Sequence, residues 1–114
     1  MKKFKIPAGQ IKRLIGPVGG ATATDMITVD GRDIGYMYRD KPINNSDTGW
    51  RFFAGDESPE YISNNSNTEF YDINTVANYD PAIIPYLDES IGTAWERISG
   101  TNKFQRVENE GGNP

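Results

Sequence analysis

The sequence predicts an α+β domain: an antiparallel sheet of about four or five strands with one or two short helices packed on it. Three observations lead there. Strand-like alternation recurs in "DIGYMYR", "WRFFA", "GTAWERIS" and "KFQRV". One stretch, "YDINTVANYDPAIIPYLDE", combines helical spacing with capping residues. Clusters of Gly, Pro, Asn and Ser separate these runs. A chain of 114 residues makes one domain the natural reading, and a hydrophobic share of 36% suffices for one core.

Residues 1–20 read as a basic, Gly/Pro-rich N-terminal arm, part of it mobile, broken by Pro7, Gly9, Gly16, Pro17, Gly19 and Gly20. Within it "AGQIKRLIG" can form a helical turn or two with Ile11, Leu14 and Ile15 on one side, too short to be stable alone. Residues 21–108 read as the domain. Thr24 or Asp25 can cap a short helix from Met26 to Asp30 that ends at Gly31; the alternative is a strand with Ile27 and Val29 on one face and a Asp-Gly turn. In "DIGYMYR", Ile34, Tyr36 and Tyr38 share one face, and Gly35, Met37 and Arg39 the other. Gly35 in a strand interior signals a bulge or a close neighbour.

"DKPINNSDTG" reads as a loop. In "WRFFA", Trp50, Phe52 and Ala54 point one way and Arg51 and Phe53 the other, which suits a central strand covered on both sides. "GDESPEYISNNSNTEF" reads as a long polar loop. Asp72 then caps a helix with an apolar stripe of Ile73, Val76 and Ala77. Asp80-Pro81 restarts the chain as cap and first helical residue, and Pro85 keeps that piece short. Two further strands follow, and residues 109–114 read as a disordered end.

Composition excludes much chemistry. There is no cysteine and no histidine. Disulfides, thiol nucleophiles, ordinary zinc sites and Ser-His-Asp catalysis are therefore ruled out, and no cofactor is expected. An EF-hand starting at Asp72 fails, because Val76, Ala77 and Ile83 stand where an oxygen ligand, a Gly and a Glu are needed. Carboxylate pairs such as Asp56 and Glu57, with Asp72 and Asp80 nearby, are the only enzymatic candidate. Asp72 and Asp80 are explained more simply as helix caps, and the chain reads as a non-enzyme. No run approaches the ~18 apolar residues that span a bilayer. The basic opening lacks the apolar stretch of a signal peptide, so a cytoplasmic protein is expected.

Charge is segregated. Residues 1–20 carry five basic residues and no acid, while the rest carries 7 basic against 16 acidic residues, for a total of −4. Between Phe52 and Glu96 there is no Lys or Arg, but there are Asp56, Glu57, Glu60, Glu69, Asp72, Asp80, Asp88, Glu89 and Glu96. Such a run argues against nucleic acid and suits a basic protein partner; the plain alternative is a solvated surface. Asp56, Glu57, Glu60, Glu69, Asp88 and Glu89 are the candidate binding carboxylates. Trp50, Trp95, Tyr36, Tyr38, Phe52 and Phe53 can form a stacking surface for bases or sugars, and Tyr36, Trp50 and Trp95 are the candidates for an aromatic ligand or peptide pocket, although alternating aromatics are more often core. Arg51 is expected at the core rim or beside a carboxylate such as Asp56 or Glu96.

The blocks "GYMYRDKP", "DTGWRFFAGDESPEY" and "YDINTVANYDPAIIPYLDESIGTAWER" occur in order. In them, over roughly residues 22 to 107, the chain resembles family 2185 of bacterial domains of unknown function, also classed as immunity protein family 33. The resemblance implies an immunity protein of a polymorphic toxin system, which binds a toxin domain and blocks it. It implies no catalytic residue. Arg39, Trp50, Arg51, Asp72, Asn74 and Asp80 lie in the shared blocks, as structural or as functional residues. The expected partner is a basic toxin domain met by the acidic segment, with no membrane and no nucleic acid. The alternative is a regulatory module that reads a ligand or peptide with its aromatics.

Overall fold

The aromatic run at residues 50–53 becomes the middle of the sheet. In the computed structural model, which describes residues 2–108, the strands are β1 Gly20–Thr24, β2 Tyr36–Arg39, β3 Asp47–Phe53, β4 Thr68–Asp72, β5 Ala94–Arg97 and β6 Phe104–Val107. They form one sheet in the order β4-β1-β3-β2-β5-β6. Three short helices accompany them: α1 Asp25–Thr28, α2 Pro59–Ser63 and α3 Ile73–Tyr79, followed by a 3-10 segment, Pro81–Tyr86. The α+β class holds. The sheet has six strands where about four or five were expected, and β1 pairs with β3 in parallel while every other pairing is antiparallel.

The four expected strands are β2, β3, β5 and β6, and residues 25–28 take the helical alternative. The two extra strands lack the usual signal. β1 is "GATAT", without a large apolar side chain, yet its Ala21 and Ala23 are wholly buried beneath the helical layer. Small side chains there let α3 approach the sheet. β4 and α2 both arise inside the expected polar loop. Ser58 caps α2 by accepting from the Tyr61 N–H at 3.1 Å, with Pro59 in its first turn. The expected disordered end at 109–114 lies outside the described residues.

One sheet face carries the core. Trp50 and Phe52 stack with centroids 6.0 Å apart and pack with Met37, Ile34, Ile73, Val76 and Ile83. Each large ring removes roughly 150–250 Å² from water, about 4–6 kcal/mol at ~25 cal/mol per Å². The Trp50 indole N–H donates to the Leu87 carbonyl at 3.1 Å, so its one polar atom is satisfied. Asp72 caps α3 through the Asn74 N–H, and Asp80 caps the 3-10 segment through the Ala82 N–H.

The expected grouping of Ile34 with Tyr36 and Tyr38 does not hold. Ile34 precedes β2 and is buried in the core, while both tyrosines lie on the opposite face from Met37. Gly35 is where the change occurs. It is pinned between β3 and β5, donating to the Phe53 carbonyl and accepting from the Arg97 N–H. A Cβ on Gly35 would sit 2.2 Å from the Ala54 carbonyl oxygen, so the close neighbour expected from sequence is backbone. Gly35→Ala should therefore lower stability by about 2–3 kcal/mol, read as a drop in the urea midpoint without loss of the native fold at neutral pH.

Candidate functional site on the open face of the sheet

Strand alternation sends Trp50 and Phe52 into the core and turns Arg51 and Phe53 to the other face. There Tyr36 pairs with Phe53, and Tyr38 with Arg51. Tyr36, Tyr38 and Phe53 form a half-buried aromatic cluster: Tyr38 stacks on Phe53 at 5.7 Å, and Tyr36 lies 6.0 Å from each. Gly55, Glu57 and Ile62 complete a groove of about 210 Å³. Burial pushes the Tyr38 phenol above its ordinary pKa, so it stays neutral at physiological pH. Phe70, on β4 at the far side of the same sheet, is also exposed.

The expected pocket of Tyr36, Trp50 and Trp95 is not assembled. Trp50 is wholly buried on the other face, and Trp95 pairs with Met37 and packs its ring against Tyr86 at 5.4 Å. The aromatic concavity instead joins Tyr36 to Tyr38 and Phe53, two of the expected stacking aromatics, and to Ile62, which carries no signal in the sequence. The face of Phe53 was legible from alternation; its pairing with Tyr36 depends on register, which alternation leaves open.

The six candidate carboxylates separate into three places. Asp56, Glu57 and Glu60 follow β3, in the segment that supplies Gly55, Glu57 and Ile62 to the groove. Glu57 is a wall of it: its carboxylate accepts from the Ala54 and Gly55 N–H groups at 2.7 and 2.8 Å and from the Thr24 hydroxyl at 2.5 Å. Asp56 pairs with Arg32 at 2.9 Å, with both side chains well exposed, and Glu60 stands exposed in the first turn of α2. Glu69 lies on β4, paired with Lys2 at 2.5 Å. Asp88 and Glu89 lie at the Arg39 end of β2, away from Tyr36, where Arg39 donates to the Glu89 carbonyl at 2.9 Å. Glu96 pairs directly with Tyr36 and is exposed, so it joins the groove side.

The carboxylates are also less unopposed than the cation-free run suggests. Arg32, Lys2 and Arg97, all from outside that run, pair with Asp56, Glu69 and Asp80. Arg39 reaches the Thr48 and Glu89 carbonyls, with its guanidinium carbon 5.8 Å from the Trp50 ring centre. Asp72, Asn74 and Asp80 spend their oxygens on backbone N–H groups, and Asp80 also on Arg97.

Arg51 is paired with neither Asp56 nor Glu96. Its partner is Asp47, bound bidentately at 3.0 and 2.8 Å. Four residues along a regular strand is too far for this contact. A bulge closes the distance: the three residues of β1 from Gly20 to Thr22 face the five from Asp47 to Arg51. Gly49 makes the bulge, with φ 93°, and a Cβ there would lie 2.0 Å from the Asp40 carbonyl oxygen. Asp47 lies in the stretch expected as a loop, and only the bulge brings it to Arg51.

The Asp47 side chain is fully buried and that of Arg51 is 12% exposed. Hydrogen bonding from Arg51, reinforced by the Gly49 and Ile43 N–H groups and opposed by burial, draws the Asp47 carboxyl from 3.8 to about 2. A depressed carboxyl stabilises the fold above its unfolded pKa and loses that contribution as pH falls through the folded value. Between pH ~4 and ~2 the protein should lose about 2 kcal/mol through this group. Asp47→Asn should cost about 3 kcal/mol at neutral pH and flatten that acid-limb slope, both measured by urea denaturation across pH.

A profile of the immunity protein Imm33 domain matches residues 21–108, most of the chain. No curated protein and no solved structure shows significant similarity to it. The matched region spans the sheet, the α3 layer and the aromatic groove, and on that match the chain belongs to the Imm33 family of immunity proteins.

Proposed function

We propose that this protein neutralises a toxin domain by stoichiometric binding, not by catalysis, and that it does so on the open face of the sheet. The family gives the immunity role in general terms. The observation that supports this face is one juxtaposition: an apolar groove of Tyr36, Tyr38, Phe53 and Ile62 beside Glu57 and Glu96, with the exposed Asp56 and Glu60 in the same segment that supplies Gly55, Glu57 and Ile62. Apolar anchors surrounded by charge are how specific protein interfaces divide affinity from steering.

The acidic rim suits a basic partner surface, such as a cleft that handles polyanions. The exposed Arg32–Asp56 pair is worth little to the fold, so it can exchange partners on binding. Glu69, Asp88 and Glu89 stand away from this face and have no part in the proposed contact. The groove volume of about 210 Å³ favours a protein side chain over a free ligand, because small-molecule pockets usually run from roughly 300 to 1,000 Å³.

The experiment is co-expression with candidate toxin genes encoded near this one, scored for rescue and for a co-purifying complex. Ile62→Glu, at an exposed position, should weaken the complex tenfold or more (about 1.4 kcal/mol or above). A double change, Asp56→Lys with Glu60→Lys, should slow association several-fold and reduce its salt dependence. A complex that forms with unchanged affinity and rate in both variants would place the binding face elsewhere. Absence of rescue and of any complex would remove the toxin reading itself.

A further inference from the structure

The N-terminal arm does not hang free. Beyond the 3-10 turn Ala8–Gln10 it runs along α3, where two asparagine side chains hold its main chain. Asn74 Oδ1 accepts from the Leu14 and Ile15 N–H groups at 2.8 and 3.1 Å, and its Nδ2 donates to the Lys12 carbonyl at 2.8 Å. Asn78 Oδ1 accepts from the Lys12 N–H at 2.9 Å, and its Nδ2 donates back to the Lys12 carbonyl at 2.8 Å. Both asparagines are set in place: the Asn74 N–H caps onto Asp72, and Asn78 also bonds the Asn74 carbonyl.

We propose that Asn74 and Asn78 form a binding ledge for extended main chain, and that its ligand, residues 12–15, is exchangeable between two copies of this chain. The contacts at the ledge read backbone, not side chains. Lys12, Arg13 and Leu14 face solvent, with Leu14 44% exposed. Of these four, Ile15 alone turns inward, packing on the core and forming one wall of a cavity of about 260 Å³ with Trp50, Ile73, Ile84 and Leu87.

The rest of the arm is gripped in the same manner. Tyr79 Oη meets the Ile6 main chain, Phe4 sits edge-on to Tyr71 at 6.0 Å, and Lys2 pairs with Asp25 and Glu69. Every partner in these contacts belongs to residues 21–108, so the arm is one ligand and the domain one receptor. The hinge between them is the exposed Gly16-Pro17-Val18. The chain is fixed again at Gly19 and Gly20, which bond Ile73 and Ser46.

A second copy is the occupant the observations favour, because the arm already shows the required shape, and its basic charge complements the acidic domain. Arm exchange would form the same contacts in trans with neither half altered. In the wild type the arm attached in cis prevails, since its local concentration is on the order of millimolar.

Two complementary full-length variants test this. Leu14→Pro removes an N–H that Asn74 accepts and spoils the arm while sparing the ledge. Asn74→Ala spoils the ledge while sparing the arm. Each alone should stay monomeric. Mixed at about 1 mM, the level at which cis and trans docking compare, they should give a heterodimer of twice the monomer mass by light scattering. Excess synthetic peptide of residues 2–18 should dissolve it. A mixture that stays monomeric while both chains keep native circular dichroism overturns the proposal. Should Asn74→Ala fail to fold, Asn78→Ala with Ile15→Pro poses the same question with the same outcomes.

Discussion

One carboxylate joins the helical layer to the sheet. Asp80 is buried at the end of α3, accepts from the Ile34 N–H at the entry to β2, pairs with Arg97 on β5 and caps the 3-10 segment through Ala82. Arg97 answers by donating to the Ile34 carbonyl and to the Thr101 carbonyl, with its guanidinium 4.8 Å from the Phe104 ring. A buried ion pair is seldom a large net source of stability, but removing one partner is costly. What this pair supplies is position. It sets where β2 begins, and β2 carries Tyr36 and Tyr38.

The same economy of polar groups recurs at the other end of β3. Asp47 is buried, accepts from the Ile43 and Gly49 N–H groups, and holds Arg51 through two hydrogen bonds. Glu57 closes the turn after β3 by binding two backbone N–H groups. Among the described residues, no buried side-chain nitrogen or oxygen lacks a partner. Rigid strand ends follow from this, and the aromatic groove lies between them on β2 and β3.

Strand alternation thus divides β3 between two tasks. Trp50 and Phe52 hold the core, and Phe53 one position later helps build the surface proposed to meet a toxin. The neighbouring acids divide as well. Asp80 and Asp72 serve the backbone, Glu57 does so while lining the groove, and Glu60 and Glu96 remain in solvent. A run of like charge along a chain is therefore a poor guide to a charged face, since each carboxylate is answered or left exposed according to what the fold brings near it.

Much of the fold was legible in the residues. Alternating aromatics marked β2, β3 and β5, Asp72 and Asp80 announced the helical layer, and Gly35 signalled a close backbone contact. These are local effects, carried by side-chain periodicity and by capping oxygens within a few residues of their targets. β1 and β4 were not legible, because Gly, Ala and Thr acquire strand character only from neighbours already in place. The same holds for Arg51 with Asp47, for the Tyr36–Phe53 pairing and for the arm on Asn74 and Asn78. By itself the sequence determined the α+β class, the absence of His and Cys chemistry and the core strands. Only the tertiary structure decided the strand register, the parallel pair and which acids stay free, because each depends on contacts between residues far apart in the chain.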